Sequence, residues 1–399
     1  MLLDGIAAPA APHAESLSPV SHLIEEEERR FVRRQPRSRA LHARAVASLA
    51  GGVTSNWQIT RPQPVFIARG TGSRIVDVDG TEYVDLHGGY GAGLAGHAHP
   101  AIVEALTRQV RNGTHFAQPN EDAVVVAELL AGRFGLPLWR FTNSGTEATM
   151  DAVHLMRAVT GRDLIVKIEG CYHGHHDSVQ VSVAPDEDEG IGAAARPIGR
   201  AASSGIPDAI TSLTLVATFN DLDGVRRLLE EHPRQVAGMI LEPIMMNAGI
   251  VHPVPDYLEG LRSLLHDHGA LLCFDEVKTG LTVGPGGATR LLGVTPDIVC
   301  LAKSLGGGIV AGAVGATREL MGYVESGDYV MVGTFNGHPL SMAACRAVLA
   351  EVATDAGYAR IAALRAQVDT SMSASIERHG LPAHLVSVGA KGCVTFATS

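Results

Sequence analysis

The sequence predicts an α/β protein with a mostly parallel central sheet flanked by helices and a small α+β lobe drawn from both chain ends. Three observations carry this. After Pro100, apolar runs of four to seven residues alternate with helix-length segments. The runs are continuous rather than alternating, the pattern of strands buried on both faces. The 399 residues, 46% hydrophobic and only 19% charged, supply one large core with smaller lobes attached.

Residues 1–20 are Ala/Pro-rich and read as a flexible tail, lacking the basic start and apolar stretch of a secretory signal. Residues 21–50 are expected to be helical, opening at the acidic run Glu25–Glu28, which suits a helix N-terminus, and ending at Gly51-Gly52. Short strands Val65–Arg69, Arg74–Val78 and Tyr83–Leu86, with a turn at Asp79-Gly80, form a meander. Buried strands are expected at Trp139–Thr142, Leu164–Ile168, Leu213–Thr218, Gly238–Leu241, Leu271–Phe274 and Ile298–Ala302. Residues 340–380 read as helix, and 385–398 as one or two strands. The stretch Ala184–Pro207, with Asp186-Glu187-Asp188-Glu189, reads as a lid or a solvated loop. The expected organisation is a tail (1–20), part of a small lobe (21–98), a large domain (99–335) and the rest of the small lobe (336–399).

A formal net charge of −10 opposes binding to a phosphate backbone. No apolar run approaches the ~18 residues of a membrane-spanning helix. The five cysteines have neither metal nor disulfide spacing. A soluble, cytoplasmic protein acting on small molecules is expected.

Four features fall at ends of expected buried strands, where open α/β sheets place their ligands. Asn143-Ser144-Gly145-Thr146-Glu147 follows one strand and opens a helix, so its free N–H groups either attract an anion or are simply capped. Asp275 ends another, and a carboxylate there needs a partner: a protonated ring nitrogen, a nearby helix start or an arginine. Lys303 ends a third and precedes Gly306-Gly307-Gly308. The chain has four lysines (Lys167, Lys278, Lys303, Lys391), and an imine to a carbonyl requires lysine rather than arginine. Lys167 and Lys278 also lie near strand exits. Finally, Tyr172-His173-Gly174-His175-His176-Asp177 offers either metal ligands or a tyrosine stacked on a flat ring with a histidine beside it.

Taken together, the strings "NSGTEATMDAVHLMRAVTGRD", "EGCYHGHHDS", "LEPIMMNAGIVHP", "FDEVKTGLTVGPGGATRLLGVTPDIVCLAKSLGGG", "GTFNGHPLSMAA" and "SRIVDVDGTEYVDLHGGYGAGLAGHAHP" resemble the class-III, fold-type I PLP-dependent aminotransferases, in the glutamate-1-semialdehyde 2,1-aminomutase-like branch. The resemblance covers roughly residues 45–345. It implies pyridoxal 5′-phosphate (PLP) as cofactor, with Lys303 forming the Schiff base. Ser144, Gly145 and Thr146 would cup the phosphate. Tyr172 would stack on the ring with His173 beside it, Glu242 and Asn247 would border its hydroxyl, Asp275 would hold its nitrogen, and Val277 would pack on the opposite face. Thr334 would reach the phosphate of a neighbouring subunit, implying a homodimer with shared active sites. Lys303, Asp275 and Tyr172 would carry catalysis, and no metal is implied.

Two departures bear on the substrate. Ser55, Trp57 and Gln58 occupy the segment where the aminomutase-like pattern carries a substrate-binding arginine. Gln58 stands in its place and offers no charge, while Arg61 is a nearby cation. Family members also continue beyond the position matching Lys391–Ser399, so the C-terminal lobe is expected to be shorter. The expected activity is transfer of an amino group between an amine or amino acid and a keto or aldehyde acceptor. The alternatives are an intramolecular aminomutase, a PLP-binding homologue without turnover, and a metal hydrolase using His173, His175 and His176.

Overall fold

The computed structural model describes residues 19–184 and 192–396. The tail expected over 1–20 falls outside these residues up to position 18, as do Asp186–Glu189 and the last three residues. Two compact units divide at Leu86/His87.

The first unit opens with helices α1 (Pro19–Arg34) and α2 (Pro36–Ala45). Glu25–Glu28 lies inside α1 rather than at its start. There Glu25 pairs with Arg29 and Glu27 with Arg30, one turn on, while the helix itself begins at Pro19. Strands β1 (Ile67–Thr71), β2 (Arg74–Asp77) and β3 (Glu82–Val84) make an antiparallel sheet. Buried Asp77 fastens the expected turn, accepting from the N–H groups of Asp79 and Thr81 and from the Tyr83 hydroxyl.

The second unit holds a seven-stranded sheet. Its strands are β4 (Leu138–Thr142), β5 (Leu164–Ile168), β6 (Thr214–Ala217), β7 (Val236–Leu241), β8 (Leu271–Asp275), β9 (Ile298–Leu301) and β10 (Gly312–Ala316). Their spatial order is β4-β10-β9-β8-β7-β5-β6, and only β10 runs antiparallel to its neighbours. Six of these strands stand where the apolar runs lie. The sequence reading missed β10 because Gly-Ala-Val-Gly-Ala has low strand propensity. Its glycine has a tertiary reason: a Cβ at Gly315 would lie 2.6 Å from the Trp139 ring.

Successive strand residues enter opposite cores. Val166, Met239, Leu241, Phe274 and Val299 pack in one hydrophobic cluster, and Ile165, Ile240, Cys273, Ile298 and Cys300 in another. Helices α3 (Pro100–Asn112) and α4 (Glu121–Phe134) precede the sheet, α5 (Gly145–Thr160), α6 (Leu222–Glu231), α7 (Tyr257–Asp267) and α8 (Gly287–Leu292) lie between its strands, and α9 (Arg318–Ser326) follows β10. The helix expected over 340–380 is broken into α10 (Pro339–Ala347) and α11 (Asp355–His379) by a wide turn at Val348–Val352, after which Thr354 caps α11 by accepting from Gly357 N–H. A hairpin, β11 (His384–Val388) and β12 (Lys391–Thr395), ends the described chain. No described helix is long and apolar enough to cross a membrane.

Lys167, inside β5, is fully buried. Its Nζ donates to the carbonyls of Ile168 (3.0 Å) and Val181 (2.6 Å), tying the segment after β5 to the strand. Burial lowers its ammonium to about 8. The unfolded chain therefore holds this proton more tightly between pH 8 and 10.5. Wild type should gain stability relative to Lys167→Met over that window by up to about 3 kcal/mol, read from urea unfolding at both pH values. A pH-independent difference would contradict it.

Candidate active site

Because β10 is antiparallel to both β4 and β9, those two strands are parallel to each other. The C-terminal ends of β4, β5, β7, β8 and β9 therefore share one sheet edge, and every candidate in the second unit except Thr334 leaves the fold there.

Ser144 caps α5, its Oγ accepting from Glu147 N–H at 3.2 Å. The cap satisfies one donor of the first turn and leaves the N–H groups of Gly145 and Thr146 without a partner among the described residues. Glu147 folds back to accept from Asn143 N–H at 2.6 Å and from its side-chain amide, which also donates to Asn336. Gly145 sits in close approach to Val277: a Cβ there would lie 3.0 Å from both of its methyl groups, which would have to give way.

Asp275 is buried, with one oxygen accepting from Val277 N–H (2.9 Å) and the other 2.8 Å from His173 Nδ1. The arginine and helix-cap partners considered from sequence are not what it uses. With Nδ1 turned to the carboxylate, the buried Nε2 of His173 has no partner among the described residues. The other histidines diverge: His176 Nε2 faces the Thr149 hydroxyl at 3.3 Å, and His175 is exposed. Among the described residues, no three metal-ligating side chains gather. Thr149, overlooked in the sequence, also donates to the His173 carbonyl; its position one helical turn beyond Gly145 was the available signal.

Glu242, buried at the end of β7, accepts from the N–H groups of Tyr172 (3.1 Å) and Met246 (2.8 Å) and from the Asn247 amide (2.8 Å). Half-buried Tyr172 has its phenol pushed up by burial and by the Asp275 charge.

Lys303 follows β9 on a tight turn, with φ +49° in the left-handed region that side chains rarely adopt. Its amine makes no hydrogen bond among the described residues. Burial lowers its affinity for a proton, Asp275 opposes that shift, and the Lys278 charge adds to it. Thr334 is exposed, on a turn whose Asn336 holds Asn143. In the first unit, Ser55 precedes the short helical turn Asn56–Gln58, Trp57 is half exposed, and Gln58 Oε1 accepts from the N–H and hydroxyl of Thr54.

A lysine, a buried carboxylate–histidine pair and an open helix start thus share one sheet edge, and the chain's relatives present the same fold. A family model described as aminotransferase class-III matches residues 57–397. The chain belongs to the class-III aminotransferases. It is 38% identical to glutamate-1-semialdehyde 2,1-aminomutase 2 of Brevibacillus brevis over 365 residues, 90% of this chain and 83% of that one. Among solved structures, an omega-transaminase from Sphaerobacter thermophilus superposes with a TM-score of 0.87 at 36% identity, covering 92% of this chain and 85% of that one. A glutamate-1-semialdehyde aminomutase from Pseudomonas aeruginosa, in complex with PMP, gives 0.87 at 32%, covering 95% and 84%. The architecture of this class-III chain is that of the fold-type I transferases.

The Gly145–Val277 contact is testable by itself. Gly145→Ala should cost about 1–3 kcal/mol through overpacking. Combined with Val277→Ala, the loss should be clearly smaller than the two single losses together, as measured by urea unfolding. Strict additivity would show that the two sites do not press on each other.

Proposed function

We propose that the protein is a PLP-dependent aminotransferase that moves an amino group between an amine or amino acid and a carbonyl acceptor through Lys303. The observation that carries this reading is the Lys303 amine itself, unpaired, held on a strained turn and inside the field of Asp275.

The cofactor is pyridoxal 5′-phosphate, and the residues present fit it. The unpaired N–H groups of Gly145 and Thr146 at the dipole-positive end of a 16-residue helix suit a phosphate. Asp275 suits a protonated ring nitrogen, and the orphaned Nε2 of His173 is a second polar atom pointing out of that pair. When bound, PLP supplies an aldehyde that condenses with amines and a ring that takes up electrons.

The chain's own residues do the rest. Burial keeps a larger share of Lys303 unprotonated than in water, so its nitrogen serves as nucleophile and then as the base that moves a proton at the substrate carbon. The His173 and Val277 N–H groups hold Asp275 in one orientation, so its charge stays where a ring proton needs it. Three donors likewise fix Glu242, which keeps Tyr172 and Asn247 at the rim of the site. Exposed Val330, Val332 and Phe335 flank Thr334, which supports a second copy lying over this segment in a homodimer with shared sites. A monomer mass by light scattering would remove that part.

An intramolecular aminomutase is the second reading, favoured by the names of relatives 38–43% identical to this chain. A transferase needs a carbonyl acceptor to complete its cycle, whereas a mutase converts one compound alone.

The test is the absorption spectrum of the purified protein as candidate amines are added. Wild type should lose its lysine-bound cofactor absorbance with a suitable amine. Lys303→Ala should lack that band while still admitting PLP, with turnover reduced roughly 10²–10⁴-fold. An unchanged band in Lys303→Ala overturns the assignment.

A further inference from the structure

Three of the four lysines in this chain converge on the candidate site, and one of them arrives from its last hairpin. The turn between β11 and β12 is Gly389-Ala390. Ala390 N–H donates to the Thr282 carbonyl at 2.8 Å, and Gly389, at φ +56°, lies so close to that carbonyl that no Cβ fits. Val388 packs in a cluster with Ile244, Met246, Ile250 and Val283, and Cys393 Sγ donates to the Gly249 carbonyl. The hairpin is pinned on both sides of Lys391, so the direction of that side chain is fixed by packing.

It runs inward to a buried glycine. A Cβ at Gly91 would lie 2.6 Å from Lys391 Nζ and 3.8 Å from Lys303 Cδ, so the two lysines rest against the same backbone position. Any side chain at 91 would push the amine of Lys391 away. The Lys391 amine makes no hydrogen bond or ion pair among the described residues. The charges that act on it are those of Lys278 and Lys303, while the buried carboxylates of this edge are held elsewhere, Glu242 by three donors and Asp275 by Val277 and His173. Burial, together with the charges of Lys278 and Lys303, brings its ammonium down to about 8. A partly buried cation beside other cations is costly unless an anion joins it. The open first turn of α5 already offers N–H groups for a phosphate, so the anion missing at Lys391 is a different one.

We propose that Lys391 binds the carboxylate of the substrate next to the reacting amine of Lys303, selecting amines and carbonyl acceptors that carry an acid group. This rests on the aminotransferase reading above and adds the substrate class to it.

Propanoate and its uncharged match, propanamide, are titrated into PLP-loaded wild type, Lys391→Met and Lys391→Arg by calorimetry. The proposal expects propanoate to bind wild type, to weaken about 10- to 100-fold in Lys391→Met as one charge-assisted hydrogen bond is lost, and to recover substantially in Lys391→Arg. Matched amines, 3-aminobutanoate and sec-butylamine, supply the second readout. The preference for the acid, as a ratio of kcat/KM, should fall by a similar factor in Lys391→Met. Absence of propanoate binding to wild type overturns the proposal. So does an equal loss for both probes, or a loss of PLP affinity in place of propanoate affinity. If propanoate binds through Lys391 but no amine alters the spectrum, the aminotransferase reading fails while the anion site stands.

Discussion

A sheet buried on both faces has no room for charge along its strands, because each ion taken from water must be matched within the protein. Polar side chains can gather only where strands stop, and in a mostly parallel sheet six of those stops fall on one edge. Glu242, Asp275 and Lys303 stand within two residues of the ends of β7, β8 and β9, with Tyr172 a few residues beyond β5 and the Ser144 cap just past β4. The site follows from the covering of the sheet. Lys167, inside a strand, shows the constraint from the other side: it is tolerated there with its nitrogen spent on backbone carbonyls.

The edge is then ordered by hydrogen bonds that leave few choices. Asp275 and Glu242 are each fixed by at least one backbone N–H and one further donor, so neither carboxylate can swing to neutralise a lysine. Lys303 and Lys391 stay unpaired amines in partly buried surroundings, and both hold their protons less tightly than lysines in water. Unspent positive charge beside a free nucleophile suits chemistry on anionic carbonyl and amino compounds. The same restraint appears at α5, where the Ser144 cap satisfies one N–H and leaves two open.

Much of this was legible in the residues. Continuous apolar runs located six of the seven strands, since burial on both faces writes itself into every residue of a strand. The exits of those runs then pointed to Asn143–Glu147, Tyr172–His173, Asp275 and Lys303. The Gly/Ala-rich strand β10 was not legible: its small residues serve the Trp139 ring, a contact formed only after folding. The helix start also misled, because the helix begins at Pro19 and the acidic run lies inside it, with Glu25 and Glu27 paired to arginines one turn on.

The sequence by itself determined the layered α/β plan, because burial on both faces shapes the composition of each strand, and its motif strings carried the class-III resemblance. Tertiary structure alone decided the rest. The pairing of His173 with Asp275 joins residues about a hundred positions apart, and no local pattern announces it. The tight space beside Gly145 comes from Val277 across the sheet edge. The meeting of Lys391 with Lys303 over Gly91 depends on how a terminal hairpin is pinned to the Thr282 carbonyl. These are distances between elements, fixed by packing, and a one-dimensional pattern does not carry them.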